Sequence, residues 1–180
     1  GLPDVSYPSD IYEHQGILSL VKELSIKNGK LYQTPVKGIE KLRQSSLPFN
    51  KYIKNTSNCY ELNLKLKGDM IHELILFSDK DGNGLSLIFN LVDGEVVVDR
   101  SKVGENFATE FSSVRTAPIA PANTTARIFI DNSVFEIFVN DGEMVFSGRV
   151  FPRADQTQIS ILQGDPTGVY YPLLSFTNPN

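Results

Sequence analysis

The stretch Cys59-Tyr60-Glu61-Leu62-Asn63-Leu64-Lys65-Leu66-Lys67 decides the fold. Tyr60, Leu62, Leu64 and Leu66 alternate with Glu61, Asn63, Lys65 and Lys67, which places the apolar side chains on one face of an extended chain and the polar ones on the other. This is the pattern of a half-buried strand. Further extended runs follow at 73–78, 85–91, 95–99, 126–130, 134–139, 144–151, 158–163 and 170–176. Between them stand Asp81-Gly82, Asn83-Gly84, Asp93-Gly94, Asp131-Asn132 and Asp141-Gly142, turn dipeptides at hairpin spacing. Many short strands, regular turns and no long helical period predict an all-β antiparallel sandwich over residues 46–180.

Residues 17–36 carry two extended runs around Asn28-Gly29, a dipeptide suited to the positive φ of a tight hairpin. Beyond Pro35, Ile39 and Leu42 stand one helical turn apart before Ser45, Ser46 and Pro48, which predicts a short linker helix. A lone hairpin is marginal in water, so residues 1–45 do not form a domain by themselves. The chain begins at Gly1 without an initiator Met, and it reads as a piece of something longer.

The 180 residues carry Lys+Arg 17 against Asp+Glu 21, with 41% hydrophobic residues, which is the composition of a folded domain. A net charge of -4 with scattered basic residues predicts no nucleic-acid partner. No run approaches the ~20 apolar residues a membrane helix needs, so no membrane partner is expected. Cys59 has no second cysteine to pair with, which favours a cytoplasmic setting over a secreted one. The sequons at Asn55 and Asn123 matter only in a glycosylating pathway.

Several constellations invite a chemical reading. Asp79-Lys80-Asp81-Gly82-Asn83-Gly84 matches the first half of a calcium loop, but its twelfth position is Asn90 and its flanks read as strands, which points to a polar hairpin turn. Glu136 lies between apolar neighbours and shares a face with Val134 and Phe138. The expectation is a partly buried carboxylate paired with an arginine; Arg149, should it share a face with Glu136 across neighbouring strands, would make a structural pair and not a catalytic one. His14 and His72 are far apart, with neither the Asp-Ser partners of a triad nor a cysteine cluster for zinc. No glycine-rich stretch leads into a helix that could receive a phosphate. The absence of Trp weakens a lectin-like reading, and core packing accounts for most of the 11 Phe. No catalytic, substrate-binding or metal-binding residue is assigned, and no cofactor is expected.

Two regions together resemble a known family. The first comprises Gly1-Leu2-Pro3-Asp4, Tyr7-Pro8-Ser9-Asp10, Gln15-Gly16-Ile17-Leu18-Ser19-Leu20, Lys22-Glu23-Leu24, Gly29-Lys30-Leu31 and Gln33-Thr34-Pro35-Val36. The second comprises Val98-Asp99-Arg100-Ser101, Ile130-Asp131-Asn132-Ser133-Val134-Phe135-Glu136-Ile137-Phe138-Val139-Asn140-Asp141-Gly142 and Phe146-Ser147-Gly148-Arg149-Val150-Phe151-Pro152. In order and spacing they resemble the end of the catalytic domain and the C-terminal β-sandwich of glycoside hydrolase family 32, nearest its bacterial sucrose-6-phosphate hydrolases.

The resemblance implies a parent β-fructofuranosidase in which a five-bladed propeller carries the chemistry and a sandwich follows it. Residues 1–45 would then be the last propeller strands plus a linker, and 46–180 the sandwich. The propeller of the same parent chain is the implied partner, with dimer contacts as a second role. In such enzymes an Asp nucleophile and a Glu acid/base work by the retaining route. Their W-M-N-D-P-N-G, R-D-P and E-C motifs are absent from this sequence, so the chain by itself is expected to hydrolyse nothing. The choice between sucrose 6-phosphate, sucrose and a fructan stays open. Two other readings are a stand-alone carbohydrate-binding sandwich, and a structural sandwich holding calcium through Asp79, Asp81 and Asn83.

Overall fold

The computed structural model describes residues 5–13, 15–54 and 56–174. Two short strands, β1 (Lys22–Lys27) and β2 (Lys30–Pro35), form a separate antiparallel pair. Asn28 and Gly29 turn it with φ of 51° and 76°, the doubly positive geometry the dipeptide predicts. A 3-10 helix, Lys37–Leu42, occupies the place of the expected linker helix.

Twelve strands then build two six-stranded antiparallel sheets: β3 (Leu47–Phe49), β4 (Tyr52–Ile53), β5 (Cys59–Leu66), β6 (Ile71–Ser78), β7 (Leu85–Asn90), β8 (Glu95–Asp99), β9 (Val114–Pro118), β10 (Thr124–Asp131), β11 (Val134–Val139), β12 (Met144–Arg149), β13 (Gln158–Gln163) and β14 (Thr167–Pro172). One sheet runs β12-β11-β10-β5-β14-β3 and the other β4-β13-β6-β7-β8-β9. The all-β antiparallel sandwich is therefore as the sequence predicts.

The core lies between the sheets. Tyr60, Leu62, Leu64 and Leu66 of β5 face inward with Ile128, Ile130 and Ile137, and meet Leu74, Leu76, Leu85, Leu87, Phe89, Val96 and Val98 of the other sheet. These side chains are almost wholly buried, and burial of this kind contributes roughly 1.5–3 kcal/mol for each large aliphatic or aromatic side chain.

Strands β3, β4 and β9 carry no alternating signal and were not expected. Strand β9 runs along a sheet edge with four of its five residues exposed, so selection for a buried face leaves no imprint on it. The last expected strand, 170–176, is instead Thr167–Pro172, and Leu173 bridges Arg43. Ser175 and Phe176 lie outside the described residues, as do Gly1 to Asp4, His14 and Asn55. Among the described residues no helix is long and apolar enough to cross a membrane.

Candidate functional site: the covered outer face of one sheet

The outward side of the β12-β11-β10-β5-β14-β3 sheet is where the expectation of a polar, solvated face fails. Glu61, placed by alternation on that face of β5, is 0% exposed. Beside it Phe129 of β10 and Phe138 of β11 stand edge to face, centroids 5.8 Å apart, and with Leu173 form a second small core. Leu20, Ile39 and Leu42 from the preceding segment pack onto them. The 3-10 helix thus has a plain cause: its one-turn spacing of Ile39 and Leu42 presents both residues to the same apolar patch.

Two buried carboxylates fasten this cover. Arg43 donates to Glu61 through Nε at 2.7 Å and Nη2 at 2.8 Å, a forked pairing with both oxygens, and its guanidinium lies 4.5 Å from the Tyr171 ring centre. Arg127 on β10 donates a third bond, Nε to Glu61 Oε1, at 2.9 Å. The bond to Glu61 raises the Arg43 pKa above its usual value. Glu136, 1% exposed, accepts from the backbone N–H of Leu20, from Lys22 Nζ at 2.6 Å and from Ser147 Oγ at 3.0 Å.

The expected Glu136–Arg149 pair is corrected by this geometry. The β11–β12 register sets Ser147 opposite Glu136 and Val134 opposite Arg149, so the arginine sits one pair further along the same face. Arg149 instead donates to Ser9 Oγ at 3.3 Å, the Gln15 carbonyl at 2.7 Å and Ser133 Oγ at 3.0 Å. Glu136 and Arg149 therefore each reach back to residues before β1, by separate routes. At the far end, the Gln33 carbonyl of β2 approaches Gly142 so closely that an added Cβ would collide with it, and Gly142 also has a φ of 85°.

The remaining candidates resolve into structural roles. Asp79 caps the β6–β7 turn. Its Oδ1 accepts from the N–H groups of Asp81 and Asn83, both at 2.9 Å, and its Oδ2 accepts from Asn83 Nδ2 at 3.1 Å and Arg153 Nη2 at 2.7 Å. A carboxylate so surrounded by donors repels a cation rather than offering it lone pairs. Burial pushes its pKa up, but the hydrogen bonds from Asn83 and Asp81 and the charge of Arg153 outweigh that and hold it low.

His72 is fully buried on β6, its Nε2 3.0 Å from the Lys67 carbonyl. His14 lies outside the described residues. Burial, reinforced by Asp131, pushes the Cys59 thiol up to about 11, and its side chain packs against the second small core. Both acids on the outer face are bound by cations. Neither has the free position that an acid/base or nucleophilic carboxylate needs.

Sequence reasoning missed Glu61 with its partners Arg43 and Arg127, and missed Lys22 as the partner of Glu136. In a strand alternating Leu with Glu, Asn and Lys, nothing marks one polar position as covered. The signal was elsewhere, in the apolar residues Phe129 and Phe138 at outward positions of their own strands.

Comparison with known proteins agrees with this architecture. The family described as Glycosyl hydrolases family 32 C terminal matches residues 23–171. A sucrose-6-phosphate hydrolase of Streptococcus mutans is 50% identical over 173 residues, covering 96% of this chain and 36% of its own length. The structure of a sucrose-6-phosphate hydrolase from Lactobacillus gasseri superposes with a TM-score of 0.93 at 33% identity, covering 98% of this chain and 38% of that one. A β-fructofuranosidase of Bombyx mori superposes at 0.68 with 28% identity over 86% of this chain and 32% of its own. The chain thus spans about a third of the length of these relatives. With the family match covering most of the sequence, a two-sheet sandwich and an outer face fastened to the segment before it, the chain belongs to the glycoside hydrolase family 32 C-terminal family.

Proposed function

We propose that the chain is the non-catalytic C-terminal sandwich of a β-fructofuranosidase similar to the sucrose-6-phosphate hydrolases, and that it buttresses the catalytic propeller of the same parent chain. On this reading residues 1–45 are the end of the catalytic domain with its linker, and 46–180 are the sandwich. One observation carries the proposal. The segment before β3 is fastened to the sandwich through Leu20 and Lys22 yet leaves large apolar side chains open: Ile11, Leu18, Val21, Leu24 and Ile26 are 78%, 94%, 70%, 66% and 77% exposed. Apolar residues concentrated in this way on one short segment mark a surface that another body covers. Strand β1 leaves five of its six residues exposed, and a two-stranded hairpin gains from a body that covers it.

The parent activity would be retaining hydrolysis of the fructosyl bond of sucrose 6-phosphate or sucrose, with its Asp and Glu supplied by the propeller. Mixing this chain with the Streptococcus mutans relative truncated of its matching C-terminal residues tests the reading. Hydrolysis of sucrose 6-phosphate should return on mixing, with neither part active alone. Activity of this chain alone, or a truncated relative whose activity and stability ignore it, would overturn the proposal.

A further inference from the structure

A cavity of about 420 Å³ opens where the edge of one sheet meets the edge of the other beneath residues 7–19. Three separate stretches of chain each bring one arginine to its wall: Arg100 just after β8, Arg115 on β9 and Arg149 on β12. Among the described residues, no carboxylate lines it. Asp10 acts from beyond the lining towards Arg149 and Glu110 towards Arg100, and Glu136 holds the hydroxyl of the lining residue Ser147.

None of the three guanidiniums is consumed by its present bonds. Arg100 gives Nη2 to the carbonyls of Phe107 and Ala108, leaving Nε and Nη1. Arg115 gives Nη1 and one Nη2 proton to the carbonyls of Ser112, Val114 and Phe111, leaving Nε. Arg149 Nε is buried without a partner. These bonds go to neutral oxygens, so the cations are positioned but not neutralised, and Arg100 and Arg149 stack on Phe107 and Phe151 at 4.4 and 4.6 Å.

Burial, followed by the charge of Arg115, holds the Arg100 guanidinium below its usual pKa, and burial does the same for Arg149. Fixed guanidiniums whose bonds all go to neutral oxygens, and which keep N–H groups in reserve, suit one ligand chemistry above others. The volume also exceeds what a bare oxyanion fills, and lies in the range of small-molecule pockets. Phe107 and Phe111 give it an apolar wall.

We propose that this cavity binds the phosphate group of a small anion, held by Arg100, Arg115 and Arg149. Two sources share that chemistry: free inorganic phosphate, and the phosphate monoester of a sugar-sized alcohol. The inference rests on the geometry of this chain and does not depend on the buttressing role proposed above.

Calorimetric titration and thermal melting of the 180-residue chain test it, using inorganic phosphate, a hexose 6-phosphate and the unphosphorylated hexose at matched ionic strength. Both phosphates should bind saturably and raise Tm. Arg115→Gln, on the exposed edge strand, and Arg100→Gln should each weaken binding roughly tenfold while circular dichroism stays unchanged. If Arg100→Gln unfolds, Arg115→Gln decides alone. A tighter hexose phosphate identifies the ester as ligand, and equal affinities identify free phosphate. No saturable binding of either phosphate, binding of the unphosphorylated hexose as tight as that of its phosphate, or full affinity in Arg115→Gln overturns the proposal.

Discussion

Arg43, in the segment before the first sandwich strand, grips both oxygens of the wholly buried Glu61 carboxylate in the middle of a sheet, at 2.7 and 2.8 Å. An ion pair of this kind joins the two parts of the chain more than it stabilises either one. Removing Glu61 strips Arg43 and Arg127 of their shared acid, and removing Arg43 leaves the buried carboxylate to Arg127 alone.

Glu61→Gln should therefore lower the unfolding free energy by about 3 kcal/mol, read from urea denaturation midpoints. In a double-mutant cycle with Arg43→Met, the two changes should couple by more than about 1 kcal/mol. Strict additivity would mean that Arg43 and Glu61 act independently.

Glu136 holds Leu20 and Lys22 of the preceding segment, with Ser147 of β12 as a further partner. Glu136→Ala should thus loosen the cover before it loosens the core. Hydrogen exchange should speed up by at least about tenfold at residues 20–27, against little change in β5 and β10, for a local loss of about 1.5 kcal/mol or more. Uniform acceleration across both sheets would count against this division of labour.

Gly142→Ala introduces a Cβ against the Gln33 carbonyl at a φ of 85°. A cost of roughly 1–3 kcal/mol is expected, taken up by release of β2. Proteolytic nicking within residues 22–35 should appear in the variant at protease levels that leave the parent chain intact.

The low Asp79 pKa fixes the sign of a pH effect. A carboxyl held below its ordinary value of about 4 contributes stability above that value and loses it as pH falls through the folded-state pKa. Asp79→Asn should therefore be less stable than the parent at neutral pH, and the gap should close on acidification below about pH 4. Calcium and a chelator should give the same melting temperature for the parent chain, because the Asp79 oxygens already accept from N–H donors.

Much of this was legible in the sequence. Period-two alternation in residues 59–67 and the turn dipeptides at Asn28-Gly29 and Asp93-Gly94 report buried faces and positive φ, which are local properties. The Asp79 turn was readable for the same reason. What stayed hidden depends on a neighbour distant in sequence. Glu61 looks like any solvated strand residue until Arg43, Ile39 and Leu42 are laid over it. The partner of Glu136 could not be told from residue type, since Arg149 lies on the adjacent strand and Lys22 on none that the sandwich pattern includes. Edge strand β9 carries no buried face, and so no pattern.

The central claim is that residues before β3, fixed on the sandwich, present their exposed apolar side chains to a catalytic body. Hydrogen exchange across Lys22–Lys27 is the most direct measurement, comparing the chain alone with the chain mixed with a relative's catalytic portion. The account predicts strong new protection in β1 on mixing, abolished by Leu24→Asp with Ile26→Asp, while β5 and β10 stay unchanged. Unaltered exchange in β1 with the catalytic portion present would contradict it.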